Sequence, residues 1–234
     1  MNRLIVLKAL MQHKTLRNYL EIGVFNGHIF FRIRSSFKVA VDPSFAFDNT
    51  RKAGKFFLNP YNFYNQYYQK TSDDFFAHDA ANVFAKEKVE LSLIDGMHEY
   101  EYALRDVENT LLHAKEGAVI VLHDCNPLTK DAACSFKEWN DRQFTGTWNG
   151  DVWRTILHLR SLRNDLTVFV LDDDHGLGIV IKKKNEHPLP YTKEQISRFT
   201  YEDFDANREK WLGLKPASYF YEFFGISQPG SDVD

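Results

Sequence analysis

The chain has no basic surplus. Its 29 Lys and Arg are outnumbered by 32 Asp and Glu, so overall charge draws it to no phosphate backbone and nucleic acid is not an expected partner. Cysteine is scarce. Cys125 and Cys134 are too few for a disulfide framework or a four-thiolate zinc site, and a reduced, cytoplasmic setting is the expectation. No apolar run is long enough to span a bilayer. The segment MNRLIVLKALMQHK is broken by Lys8 and has no clear cleavage site. It is expected to be an amphipathic helix packed on the domain, with no membrane partner. Repeats and low-complexity stretches are also missing. With 44% hydrophobic and 26% charged residues over 234 positions, the chain is globular and can bury one substantial core.

What is present is organised around Val89–Pro127. A short apolar strand, Val89–Ile94, runs into Asp95, Gly96 and His98. Tyr100, Leu104, Val107, Leu111 and Ala114 then recur at helical spacing, with Lys115 and Gly117 as the expected stop. Ala118–Leu122, apolar on both faces, suits a central parallel strand and ends in His123-Asp124. Strand, helix, strand is a βαβ unit. Ligands of open α/β sheets bind at the carboxyl ends of strands, so Asp95, His98, His123 and Asp124 are expected to meet at one edge.

Further strands are expected at Leu16–Val24, Phe37–Asp42 and Gln66–Lys70, with a helix opened by Thr71 and running to about Ala85. Asn49–Tyr64 lacks clean periodicity and is a loop or a broken helix. Leu128–Gly150 is long and irregular, as lids and insertions are. A helix over Val152–Arg163 precedes strands Leu166–Leu171 and Leu177–Ile181. So short a link between these two strands makes a hairpin, hence one antiparallel strand, and Asp172–Asp174 is expected as its solvated tip. From Pro188 the character changes to helices over Thr192–Phe199 and Tyr201–Leu212, an aromatic cluster Tyr219–Phe224, and a disordered tail, SQPGSDVD. The whole is an α/β, doubly wound sandwich. Residues 1–187 form the main domain and 188–234 a C-terminal helical arm packed on it or on a second copy of the chain.

The first turn restricts the ligand. A dinucleotide fingerprint starting at Gly23 needs glycine where Phe25 and His28 stand, and a Walker loop is absent. Glu21, Gly23, Gly27 and Asp42 remain. Asp42 lies roughly 20 residues after the first glycine, where an acid reaches ribose hydroxyls. An adenosine ligand without a pyrophosphate fits these residues better than NAD.

The stretches YLEIGVFNG, VAVDP, TSDDFF, LIDGMHEYEYALRDVENTLLHAKEGAVIVLHDCNP and NGDVWRTILHLRS resemble class I S-adenosylmethionine-dependent methyltransferases. The resemblance covers roughly Leu16 to Lys182 and points to the branch related to macrocin O-methyltransferase and cephalosporin hydroxylase-like proteins. It implies a Rossmann-like seven-stranded sheet, last strand antiparallel, with helices on both faces. It implies that Glu21, Gly23 and Gly27 flank the methionine part of S-adenosylmethionine, Asp42 the ribose, and Ser72 and Asp73 the adenine, with Asp95 at the cofactor's edge. It further implies a divalent ion, magnesium or manganese, at Asp95 and Asp124, with His98 as the base that takes a proton from a small hydroxylated acceptor such as a sugar. Two departures stand out. The middle glycine of the first motif is Phe25, and His123, a third candidate metal ligand, replaces an acid just before Asp124, which would weaken magnesium binding, shift the preference toward a softer ion or leave no metal bound. Two other classes stay open: a metal-dependent hydrolase using Asp95, His98, His123 and Asp124, and a non-catalytic adenosine-ligand binding protein.

Overall fold

The structure is a computed structural model that describes residues 1–142 and 146–228. Most of the expected disordered tail therefore lies outside the described residues. In chain order the elements are α1 (Arg3–His13), β1 (Asn18–Ile22), β2 (Phe37–Val41), α2 (Asn49–Leu58), β3 (Asn65–Tyr68), α3 (Ser72–His78), α4 (Ala80–Val83), β4 (Val89–Ile94), α5 (Tyr100–Leu112) and β5 (Ala114–Leu122). They continue with α6 (Phe136–Asp141), α7 (Trp153–Leu162), β6 (Leu166–Leu171), β7 (Leu177–Lys182), α8 (Lys193–Arg198), α9 (Tyr201–Leu212), β8 (Leu214–Lys215) and α10 (Ser218–Phe224).

The strands form one sheet in the order β3-β2-β1-β4-β5-β7-β6-β8. Only β7 runs against its neighbours; the other pairings are parallel. The seven expected strands are present. The eighth is a two-residue edge strand pairing Val170 with Leu214, too short to carry a periodic signal. β1, β4 and the second half of β5 are buried on both faces because helices cover both. Leu20, Ile94, Val107, Ile120, Ile156 and Phe204 lie in one core. Val6, Leu10, Phe30, Leu93, Val121 and Phe220 lie in the other.

Two boundaries differ from the sequence reading, and of the two alternatives for Asn49–Tyr64 the broken helix is present. Ala114 and Lys115 belong to β5 rather than to the preceding helix. The strand bends between them and Ala118, where Gly117 adopts φ +72° and the register with β4 shifts. The helix expected from Ser72 is broken at Asp79 into α3 and α4. Asn49–Tyr64 is a helix followed by a 3-10 turn, Pro60–Tyr64; Pro60 cannot continue α2 because it has no N–H to donate.

Register positions the site. Ile22 of β1 pairs with Val41 and with Ile94, and Ile94 pairs with Leu122. Four strands thus end level, and Gly23, Asp42, Asp95 and His123 emerge side by side.

Residues from Pro188 onward feed both cores. Phe204, Trp211 and Leu212 pack on one face and Phe220 on the other. Tyr219 and Phe223 set their rings 5.2 and 4.9 Å from Phe169, so the aromatic cluster contacts its own domain.

Candidate active site at the carboxyl edge of the sheet

The loop after β1 presses against the loop after β4. Gly23 has φ +81°, and a Cβ on it would sit 2.0 Å from the Asp95 carbonyl oxygen, so no other residue fits. Phe25 also takes a left-handed conformation, φ +46°, which is costly for a bulky side chain. Asp42 holds it there: Phe25 N–H donates to Asp42 Oδ2 and Ser44 N–H to Oδ1, each at 2.7 Å. The residue that departs from the glycine pattern therefore adopts a left-handed backbone, the conformation glycine favours.

Beside this loop lies a cleft of about 620 Å³ lined by Gly23, Asp42, Ser72, Asp73, Asp95 and Asp106 among others. Glu21 and Gly27 are not in its lining. Glu21 points to the opposite face, where Tyr19 Oη donates to its carboxyl at 2.5 Å; burial, opposed by that bond, pushes its pKa up to about 8. Gly27 faces the Phe31 ring. Asp73 forms a two-pronged pair with Arg105, at 3.0 and 2.9 Å, which holds its pKa below the usual range. Asp106 escaped the sequence reading. It is only 3% exposed, and burial, opposed by a hydrogen bond with Ser72, pushes its carboxyl up to about 7. Its signal was a charge on the buried face of α5, beside Ala103 and Val107.

Asp95, shared with the cleft, also belongs to a second constellation. Ligand atoms of Asp95, His98 and Asp124 lie within 4.8 Å of one another. His98 Nε2 is 3.3 Å from Asp124 Oδ2 and 3.6 Å from Asp95 Oδ1. Its Nδ1 is 3.0 Å from the Trp148 carbonyl; a carbonyl only accepts, so Nδ1 carries a proton and Nε2 alone faces the acids. Burial lowers the His98 pKa, but the hydrogen bond to Asp95 and the charge of Asp124 raise it more. Burial likewise favours a neutral Asp95, yet hydrogen bonds from His123 and His98, with Arg3 nearby, hold its pKa far below the usual carboxylate range.

The long connection after β5 locks these groups. Gly150, φ +60°, approaches His98 so closely that a Cβ would meet the His98 carbonyl oxygen at 1.6 Å, and the Asp151 N–H donates to that oxygen. Asn149 Nδ2 donates to Asp124 Oδ1 at 2.6 Å. Asp151 accepts from Tyr100 N–H at 2.6 Å, so it caps α5 rather than its own helix. The Trp148 ring lies 5.1 Å from His98, nearly parallel to it.

His123 has both ring nitrogens engaged. Nδ1 lies 2.7 Å from Asp124 Oδ2 and 3.0 Å from Asp95 Oδ1. Nε2 lies 2.8 Å from Arg3 Nη1. Burial disfavours the charged ring, but the hydrogen bonds with Asp124, Asp174 and Asp95 raise its pKa above the ordinary value; Arg3 opposes protonation, because a guanidinium can only donate. Arg3 in turn is held by Asp174, through Nη1 at 3.0 Å and through its own backbone N–H at 2.8 Å. Asp174 is thus a buttress of the site, not a solvated hairpin tip. Neither it nor Arg3 had a local signal, since 171 positions separate them.

Residues 20–125 match the family described as "Methyltransferase domain". No curated protein matches the chain. Solved structures do. The O-methyltransferase TomG from Streptomyces achromogenes, involved in tomaymycin synthesis and crystallised with SAM, gives a TM-score of 0.57 at 14% identity, over 77% of this chain and 79% of that one. Cofactor-bound Rv0187 from MTB gives 0.54 at 14% identity, over 79% and 82%. The O-methyltransferase from Bacillus cereus, in complex with SAH, gives 0.52 at 14%, over 76% and 79%. At these identities the likeness establishes the fold.

Proposed function

We propose that the protein transfers a methyl group from S-adenosylmethionine to a hydroxyl of a small acceptor. The observation that carries this reading is that Asp95 lines the cofactor-sized cleft and also belongs to the Asp95–His98–Asp124 cluster, so a donor in the cleft and an acceptor at the cluster share one wall. Asp42 would meet the ribose hydroxyls, and Ser72, Asp73 and Asp106 line the same cleft. The solved neighbours described with SAM or SAH support the same donor.

The donor set fits a divalent ion. Two carboxylates converge with one imidazole nitrogen whose tautomer is set by a carbonyl, the outer-sphere arrangement typical of ligating histidines. Asp95 and Asp124 would hold the ion, with Asn149 and His123 orienting Asp124. A magnesium or manganese ion there would withdraw charge from an acceptor oxygen and lower its pKa. A cation between Asp95 and Asp124 would offset the acids that favour a charged His98, leaving Nε2 free to take the hydroxyl proton as the acceptor oxygen forms its bond to the methyl carbon and the carbon–sulfur bond breaks. Such a step depends chiefly on alignment, which the locked loop at Trp148–Asp151 supplies. His123, occupied at both nitrogens, serves as an orienting group. A second reading, favoured by the three-way convergence, makes His98 a metal ligand instead of the base.

Calorimetry and turnover together test this. S-adenosylmethionine should bind the wild type, with NAD not binding, and Asp42→Ala should weaken binding at least tenfold, since two charge-assisted hydrogen bonds are worth about 1.5–3 kcal/mol each. His98→Ala should lower turnover roughly 10²–10⁴-fold with donor affinity kept. Unchanged manganese affinity in that variant makes His98 the base, and lost affinity makes it a ligand. Unchanged donor affinity in Asp42→Ala, or turnover indifferent to His98→Ala, refutes the reading.

A further inference from the structure

α2 is an amphipathic helix with no core to pack on. None of its residues is buried, and Phe57 and Leu58 are 82% and 77% exposed. The 3-10 turn that follows adds Phe63 and Tyr64, exposed to 66% and 69%. The Phe56 ring lies 5.4 Å from both Phe57 and Phe63, so these side chains form one continuous apolar ridge. Aromatic groups standing this far out of a globular surface mark a contact.

Against the ridge lies a cleft of about 850 Å³ between α1 and α2, with Lys8, Arg32, Arg34 and Lys55 in its wall and no acid. Among the described residues, none of these four cations, nor Arg51 on α2, forms an ion pair. Partial desolvation, with the charges of Arg32, Arg3, Lys55 and Arg51, holds the exposed His28 below its ordinary pKa. The distribution of charge along the chain agrees. Residues 1–70 hold eleven Lys and Arg against three Asp and Glu, whereas the rest hold 18 against 29. The small overall charge thus conceals a positive face, a charge asymmetry of the kind associated with acidic partners.

We propose that this face docks the protein on an anionic lipid surface, the ridge entering the headgroup layer and the cations meeting phosphate groups. Apolar residues with a basic flank are what an in-plane membrane helix requires, and Phe and Tyr rings suit the interface. A nucleic acid would use the cations but leave the ridge with nothing to bury it. A second copy docked about a two-fold axis would set the same cations against each other. Among the described residues no helix is long and apolar enough to cross a membrane, which rules out crossing by those helices and leaves surface docking open. The absence of a basic surplus, read from overall composition, missed this because the acids lie elsewhere in the chain.

Co-sedimentation of the full chain with vesicles tests the assignment. The protein should pellet with phosphatidylcholine vesicles carrying phosphatidylglycerol, stay in solution with phosphatidylcholine alone, and dissociate as salt is raised. Lys8→Ala combined with Arg34→Ala should weaken partition about tenfold or more, and Phe57→Ser combined with Phe63→Ser similarly. All four side chains are exposed, so circular dichroism should report an unchanged fold. Equal partition to both vesicle types, no partition to either, or partition unaffected by both double variants would overturn the proposal. So would a dimer in sedimentation equilibrium that the phenylalanine variant dissolves, or binding to single-stranded DNA as tight as to the charged vesicles.

Discussion

Asn149 donates to the buried carboxylate of Asp124 from 2.6 Å, and Asp124 itself stands in a left-handed conformation, φ +60°. A non-glycine residue in that region stores strain that its surroundings must hold. Asn149 and His123 together fix both carboxylate oxygens. Asn149→Ala should leave one of them buried and unpaired. Turnover should fall about 10–100-fold, the usual effect of removing a group that orients a ligand, with S-adenosylmethionine affinity nearly unchanged. Asn149→Asp should be worse, because it sets a second acid against the first. Steady-state kinetics across a manganese series, with calorimetry for the donor, would check this; full activity in Asn149→Ala would show that Asp124 needs no such support.

Arg3 ties α1 to the site through His123, Asp174 and Asp95. It is about a quarter exposed, 26%, so its loss should cost stability by about 1–3 kcal/mol, the worth of hydrogen bonds to charged groups. Arg3→Lys should rescue little, since a single ammonium cannot reach several partners with a fixed fork. Denaturant titration of Arg3→Ala against wild type measures the first effect. A variant as stable as wild type, with unaltered turnover, would mean that α1 merely covers the sheet.

Glu21 gives the fold a pH dependence whose sign is determined. Its folded pKa is raised from 4.5 to about 8 by burial, with the Tyr19 hydrogen bond opposing. The folded state then binds more protons than the unfolded state between these values, so stability falls as pH rises through that window. Asp106, raised to about 7, acts in the same direction over a lower range. Stability should therefore drop by about 1–3 kcal/mol between pH 5 and pH 8, and Glu21→Gln should flatten much of that slope. Chemical denaturation at a series of pH values would decide it, and a wild type that gains stability over this range would contradict the assignment.

The legible parts of this protein are those that repeat locally. Val89–Ile94 announced a strand by its short apolar run and Ala118–Leu122 by being apolar on both faces, and the residues at their ends, Asp95, His98 and Asp124, do converge. The two-residue strand β8 and the break at Asp79 have no period to detect. Phe25 looked like a departure from a glycine motif because sequence does not show that Asp42 can hold a phenylalanine in the glycine conformation. Asp174 was misplaced for a different reason: its partner is Arg3, and a contact spanning nearly the whole chain leaves no trace in spacing. Asn149 carried a turn signal, Asn-Gly, without any sign that its side chain reaches the site.

The segment after His187 is the last case, and its role follows from where its side chains go. Trp153 of α7 stacks on Phe204 at 4.7 Å and on Trp211 at 5.9 Å, and Phe220 is fully buried on the other face of the sheet. The change of sequence character at 187/188 should then mark no unit that folds apart. Truncation after His187 would uncover both cores at once, and the product should aggregate or unfold without cooperativity. Point variants separate this from a mere loss of chain. Trp211→Ala and Phe220→Ala should each cost about 3–5 kcal/mol, the usual range for large aromatic groups in a core. Because the two sit on opposite faces and share no partner, their effects should add within about 0.5 kcal/mol. Denaturant titration of the two single variants and the double variant reads this directly. A truncated chain that unfolds cooperatively at the wild-type midpoint would show that residues 1–187 are complete without the arm.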